Sequence, residues 1–122
     1  MPARPLTLLA LSAAAAASLA ACGSSSPAAA SGTAIQQQCS SVAAVLSDGP
    51  DPTADPVGYA EAQVLPLRQL KITDAPLRRA VQQLATAYQA YSSSSGAAGT
   101  AAAVQASKAE AAVNAICPGA AN

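Results

Sequence analysis

Four stretches of the chain repeat apolar residues at helical spacing, and each is bounded by turn chemistry. Ile35, Cys39, Val42 and Leu46 recur at intervals of 4, 3 and 4, one stripe along a helix. Thr33 and Gln36 form a capping-box pattern that predicts its start. Asp48-Gly49-Pro50 predicts its end, glycine supplying a left-handed cap and proline forbidding continuation. A second helix is predicted from Asp55, an N-cap followed by Pro56 at N1, with Val57, Ala60, Val64 and Leu67 facing inward. Pro66 lies inside that pattern and predicts a kink or a division; Ile72-Thr73-Asp74 is the next break. The third segment has the clearest seam: Asp74 caps it, Pro76 sits in its first turn, and Leu77, Val81, Leu84, Tyr88 and Tyr91 follow at 4, 3, 4 and 3. Arg78, Arg79, Gln82, Gln83 and Gln89 make up its outer face. A fourth helix is predicted from about Thr100 to Ile116. Its inner face (Ala102, Ala106, Ala109, Val113 and Ile116) is nearly all small, which lets neighbouring backbones approach and leaves little room for a ligand. The fold class predicted is all-α, a small antiparallel up-down four-helix bundle over residues 33–122.

Upstream, Arg4 precedes an apolar run from Leu6 to Ala21 of about 16 residues, shorter than the ~20 a spanning helix needs. The run closes on Leu19-Ala20-Ala21-Cys22. Small side chains at Ala20 and Ala21 suit a peptidase working at the membrane face, and Cys22 puts a thiol where lipidation needs one. The competing reading is an ordinary secretory signal cut after Ala20, with Ser18 and Ala20 as the small pair. No paired arginines precede the run, so a twin-arginine route has no support.

The four residues resemble the lipobox of bacterial prolipoproteins: an aliphatic residue, two small residues and Cys. The Ala, Ser and Pro bias is similar to that of small lipoproteins of high-GC Gram-positive bacteria. The resemblance covers the first two dozen residues and assigns the mature domain to no family. It implies a signal peptide at 1–21 and a diacylglyceryl group on the Cys22 sulfur, which becomes the N-terminus. It also implies a fatty-acyl (palmitate-type) anchor at the outer face of the cytoplasmic membrane. Two acyl chains at ~0.8 kcal/mol per buried CH₂ hold a protein stably where one chain does not. Residues 22–32 then read as lipidated Cys and tether: GSSSPAAASG buries too little surface to order itself. Plain spacer and glycosylated spacer both stay open.

Charge and composition narrow the partners. The full chain has six Lys+Arg and six Asp+Glu; losing Arg4 leaves five basic and six acidic residues, net −1. Nucleic acid, which requires a strongly basic face, is an unsuitable partner. There is no His, Trp or Phe and only three Tyr, so the core is small and needs a staple. With Cys22 committed to lipid, Cys39 and Cys117 remain, and in an exported protein two remaining cysteines favour a disulfide. Four alternating helices return the end of the fourth beside the start of the first, where those two residues lie; an odd helix count would separate them.

Catalytic groups are scarce. Asp48, Asp51 and Asp55 crowd one loop, but their spacing does not match a calcium loop. No metal or cofactor is expected. Glu61 and Glu110 read as solvated, Glu110 on the outer side of helix 4 near Lys108. Without His or a suitably placed Lys nothing activates a serine, so no enzyme is expected. Arg68, Lys71, Arg78 and Arg79 flank the turn between helices 2 and 3, at the end that also carries the tether. They read either as a solvated face or as a membrane-facing cluster, each gaining ~1 kcal/mol near anionic lipid. The expected role is a non-enzymatic binding or scaffolding module with an envelope protein partner. The alternative is a carrier of small ligands or lipid in the bundle interior, for which an open cavity lined by Leu65, Leu67, Leu84 and Tyr88 would speak.

Overall fold

The computed structural model describes residues 27–121; the leader and Cys22 lie outside them. Four helices follow in order: α1 (Pro27–Leu46), α2 (Pro56–Gln69), α3 (Ala75–Ser92) and α4 (Gly96–Ile116). The chain is an all-α four-helix bundle closed by a Cys39–Cys117 disulfide with a Cα–Cα separation of 5.3 Å.

The predicted caps of α2 and α3 form. The Asp55 carboxylate accepts from Gly58 N at 2.9 Å and the Asp74 carboxylate from Leu77 N at 2.8 Å, each filling one of the orphan donors of a first turn. α3 buries Leu77, Ala80, Val81, Leu84, Ala85 and Tyr88, and its predicted outer residues are exposed. Gly49 takes φ 105° after α1, the left-handed conformation the glycine was expected to supply.

Elsewhere the chain departs from the pattern. α1 begins at Pro27 rather than at Thr33, so Thr33 lies inside the helix and is not its N-cap, and residues 27–32 are helical rather than coil. Pro27 is preorganised for the first turn, and Ala28–Ala30 have the best helix propensity of any residue, which outweighs the cost of Gly32. α4 begins at Gly96 instead of Thr100 for the same reason: Ala97 and Ala98 extend it backward. Pro66 does not divide α2, which runs unbroken to Gln69; the proline stands on the exposed side near the helix end. Val57 is 41% exposed, and Ala60, at 1%, is the buried residue of that turn. The buried face of α2 includes Gln63 beside Ala60, Val64 and Leu67, a polar side chain at a position the apolar pattern had skipped.

Antiparallel order is fixed by hydrogen bonds at both ends. The Tyr59 hydroxyl donates to Leu46 O at 2.6 Å, and Gln63 Nε2 donates to Asp48 O, tying α2 to the end of α1. At the other end Gln38 Oε1 accepts from Thr73 N at 2.7 Å and Asp74 N at 3.0 Å. Cys39 is the next residue, so the disulfide and the α2–α3 turn share one end. Residues 27–37 therefore precede the level of that turn, about 16 Å of helix at 1.5 Å per residue. α3 packs along both α2 and α4, whereas α1 meets α2 sparsely and reaches α4 chiefly through the disulfide.

Closing a loop with a sequence separation of 78 is worth about 4 kcal/mol by chain entropy. Reduction, or Cys39→Ala, is expected to lower the urea unfolding free energy by about 2–4 kcal/mol. Amide exchange in residues 31–46 should then accelerate ahead of exchange in α3. Simultaneous loss of protection in all four helices would contradict this picture.

Candidate functional site

The residues singled out in the sequence scatter over the bundle. Cys39 and Cys117 are bonded. Arg68, Lys71, Arg78 and Arg79 are all exposed but do not point one way. Arg68 Nη2 donates to Gln89 Oε1, well along α3, and Arg78 Nη1 lies 3.4 Å from Ile72 O. Arg79 lines a groove between α3 and α4 together with Lys108. The three loop aspartates are spent on local backbone. Asp51 Oδ1 accepts from Thr53 N at 2.8 Å and Thr53 Oγ1 at 2.7 Å, bonds that hold its carboxyl below the usual range, the hydroxyl's contribution leading. Asp55 caps α2, and Asp48 Oδ1 accepts from Gly49 N at 3.2 Å. Among the described residues no three His, Cys, Asp or Glu side chains converge on a point.

Leu67, Leu84 and Tyr88 are 2%, 0% and 3% exposed and belong to the packed core, whereas Leu65 is 66% exposed on the opposite face. The four do not line a common cavity.

A different set of residues does converge. A cleft of about 260 Å³ opens between α2, α3 and α4 and takes in all three tyrosines of the chain, together with Glu110. Tyr59 comes from α2, Tyr88 and Tyr91 come from successive turns of α3, and Glu110 projects from α4. Ala103 and Ala106 form the α4 wall, and Pro52 and Pro56 close the side toward the α1–α2 loop. The small face of α4 was expected to exclude a ligand. Here the alanines instead stand back far enough to leave a space that the rings do not fill.

The rings of Tyr59 and Tyr88 meet edge to face, centroids 5.8 Å apart and planes at 76°, the arrangement the aromatic quadrupole favours. The Tyr88 hydroxyl donates to Glu110 Oε1 at 2.8 Å. Glu110 is thus half-buried and faces the cleft, not the outer side of α4; Lys108 lies in the groove with Arg79 and does not share the cleft. No ion pair to Glu110 is present among the described residues. Burial, and then the neighbouring Glu110 carboxylate, pushes the Tyr88 phenol far above its ordinary value. Burial also raises Tyr59. Both hydroxyls therefore stay protonated at neutral pH, Tyr88 as a fixed donor to the carboxylate rather than as a base.

Nothing in the one-dimensional pattern joins these residues. Tyr88 and Tyr91 read as part of the α3 seam, and Tyr59 falls between the inward positions of α2. The one available signal was the absence of any other aromatic in the chain.

Tyr88 and Tyr59 carry raised folded-state values, so their contribution to stability is fully present below the unfolded value near 10.0 and is lost as pH climbs past it. Urea midpoints should hold steady up to about pH 9 and fall steeply above about pH 10. Tyr88→Phe, which removes the donor to Glu110, should cost about 1–2 kcal/mol at pH 7 and flatten the alkaline fall. An unchanged alkaline fall in that variant would refute the assignment. Comparison with protein families, with curated proteins and with solved structures finds no match for the chain.

Proposed function

We propose that the chain is a lipid-anchored lipoprotein of the cell envelope whose helical domain works as a non-enzymatic binding or scaffolding module. The observation that carries this reading is how the three cysteines divide. Cys39 and Cys117 are bonded to each other, a pairing that persists in an oxidising compartment. That leaves Cys22, at the end of an apolar run and behind two alanines, as the one remaining cysteine of the three in the sequence. Acylation there would hold the domain at the outer face of the cytoplasmic membrane. Among the described residues no helix is long and apolar enough to cross a membrane.

The packing of Leu67, Leu84 and Tyr88 into the core supports an interaction module over a carrier that opens its interior. Lys71, Arg78 and Arg79 stand at the same end as the disulfide, where an anchored domain would meet the head groups. Liposome binding that rises with anionic lipid and falls with salt would support their seating role.

The anchor is tested by detergent phase partition and by the mass of the N-terminal peptide. The expected product partitions into detergent and begins at an acylated Cys22, and Cys22→Ser shifts it to the aqueous phase. An intact leader with an unmodified Cys22 thiol would sink the proposal.

A further inference from the structure

We infer that the cleft between α2, α3 and α4 binds an organic cation, an alkylammonium or guanidinium group, through the Glu110 carboxylate and the rings of Tyr59 and Tyr91. The inference deepens the reading of the domain as a binding module and names the chemistry of its ligand; it does not depend on the lipid.

Three features of the cleft select a cation. Glu110 is half-buried and bonded on one oxygen to Tyr88, and the structure supplies it no cation of its own. The basic side chains among the described residues are placed elsewhere: Lys108 and Arg79 in the groove between α3 and α4, Arg68 on Gln89, Arg78 and Lys71 beside the α2–α3 turn. The remaining lining is aromatic, aliphatic and prolyl, apart from the hydroxyls of the tyrosines and of Ser107. A negative charge at the edge of such a surface is poorly hydrated and therefore strongly felt by a cation. Aromatic rings attract a cation by their quadrupole and suit a bulky, weakly hydrated ammonium or guanidinium better than a small metal ion. An anion would meet the carboxylate with nothing to offset it.

The arrangement is also prepared in advance. Tyr88 is fixed by core packing and by its bond to Glu110, and Tyr59 by the hydroxyl bond to Leu46 O. Both anchors hold their partners in place before any ligand arrives, which reduces the ordering cost of binding. Tyr59 and Tyr91 remain half-buried, with ring surface left to offer. A volume of about 260 Å³ suits one head group rather than a drug-sized molecule. The same head group is carried by a free quaternary amine or by a Lys or Arg side chain of a partner peptide.

The absence of Trp and Phe makes the site self-reporting, since every aromatic signal comes from the three tyrosines that line the cleft. The full chain, purified in non-ionic detergent, is titrated at constant ionic strength while tyrosine near-ultraviolet circular dichroism is recorded. The probes are choline, its neutral isostere 3,3-dimethylbutan-1-ol, and capped lysine and arginine amides. A saturable change with a cation, at least about tenfold tighter than with the neutral isostere, is the expected result, equivalent to about 1.4 kcal/mol. Choline binding without the amides identifies a free ammonium; the reverse identifies a peptide side chain; both support the site. Glu110→Gln keeps an acceptor for Tyr88 and should weaken binding about tenfold or more, with the unfolding midpoint as a check on folding. Tyr59→Phe keeps the ring but loses the bond to Leu46 O, so it should weaken binding less than Glu110→Gln does. Equal response to the cation and its isostere, no response to any probe, or indifference to Glu110→Gln overturns the inference. Repeating the titration on Cys22→Ser separates the outcomes, because the cleft is expected to bind identically whether or not the anchor exists.

Discussion

α1 reaches the rest of the bundle through one covalent bond, one glutamine, the Leu46 carbonyl that accepts the Tyr59 hydroxyl, and a short run of side chains. The bond between Cys39 and Cys117 matters more here than in a protein with a large core, because the other forces on α1 are modest. Val42 and Leu46 are buried, but Ile35 and Cys39 are only partly so. Gln38 contributes by taking two backbone donors of the α2–α3 turn onto one oxygen. Those donors precede the first turn of α3, where no helical carbonyl reaches them. The covalent link and the glutamine are neighbours in sequence, so a single turn of α1 fixes both its height and its rotation on the bundle.

The core that α1 closes is built from aliphatic residues and tyrosine, and tyrosine imposes a condition the aliphatics do not. A buried phenol must give its hydrogen to something. Tyr59 gives it to the carbonyl of Leu46 at the end of α1, and Tyr88 gives it to Glu110. The first bond helps to set the α1–α2 angle. The second draws a carboxylate inward from α4, where a heptad reading leaves it in solvent. The cleft follows from this requirement: α3 supplies rings that are too long for the alanines facing them, and the mismatch in size between Tyr88, Tyr91 and Ala103, Ala106 is left as space.

Where sequence reasoning succeeded, local chemistry and periodicity agreed. α3 has a cap, a first-turn proline and large apolar residues at heptad spacing, and each of those features appears in the structure. The disulfide was legible because topology and cysteine count pointed to the same pair. Where it failed, the residues were ones whose local preferences conflict. Ser31 and Gly32 argue against helix and Ala28–Ala30 argue for it; the alanines prevail, and α1 starts at Pro27. Gln63 is buried with its Nε2 on Asp48 O, a partner that no window around position 63 contains, and with its Oε1 unpaired. Leu65, which the carrier alternative would need along the interior, is 66% exposed, because Val64 and Leu67 occupy the inward face of α2. The tyrosine cleft was illegible for a stronger reason: its members come from three helices and are brought together only by their packing.

The helical start of α1 changes what an anchor at Cys22 would do. A coil of ten small residues would let the domain tumble on its lipid, whereas a helix that begins at Pro27 leaves only 23–26 between Cys22 and a rigid rod. The rod enters the bundle at the end that carries the disulfide and the α2–α3 turn. The cleft lies toward the opposite end, between the start of α2 and the later turns of α3. An acylated Cys22 would thus set the disulfide end toward the bilayer and the Tyr59–Glu110 cleft away from it. In that orientation Lys71, Arg78 and Arg79 would lie on the bilayer side of the domain, set back from the tether by the 27–37 stretch of α1, and the acidic, aromatic cleft would face outward, more than a Debye length of about 8 Å from the head groups. A cation arriving at the cleft would then be drawn by Glu110 with little competition from the membrane's own charge.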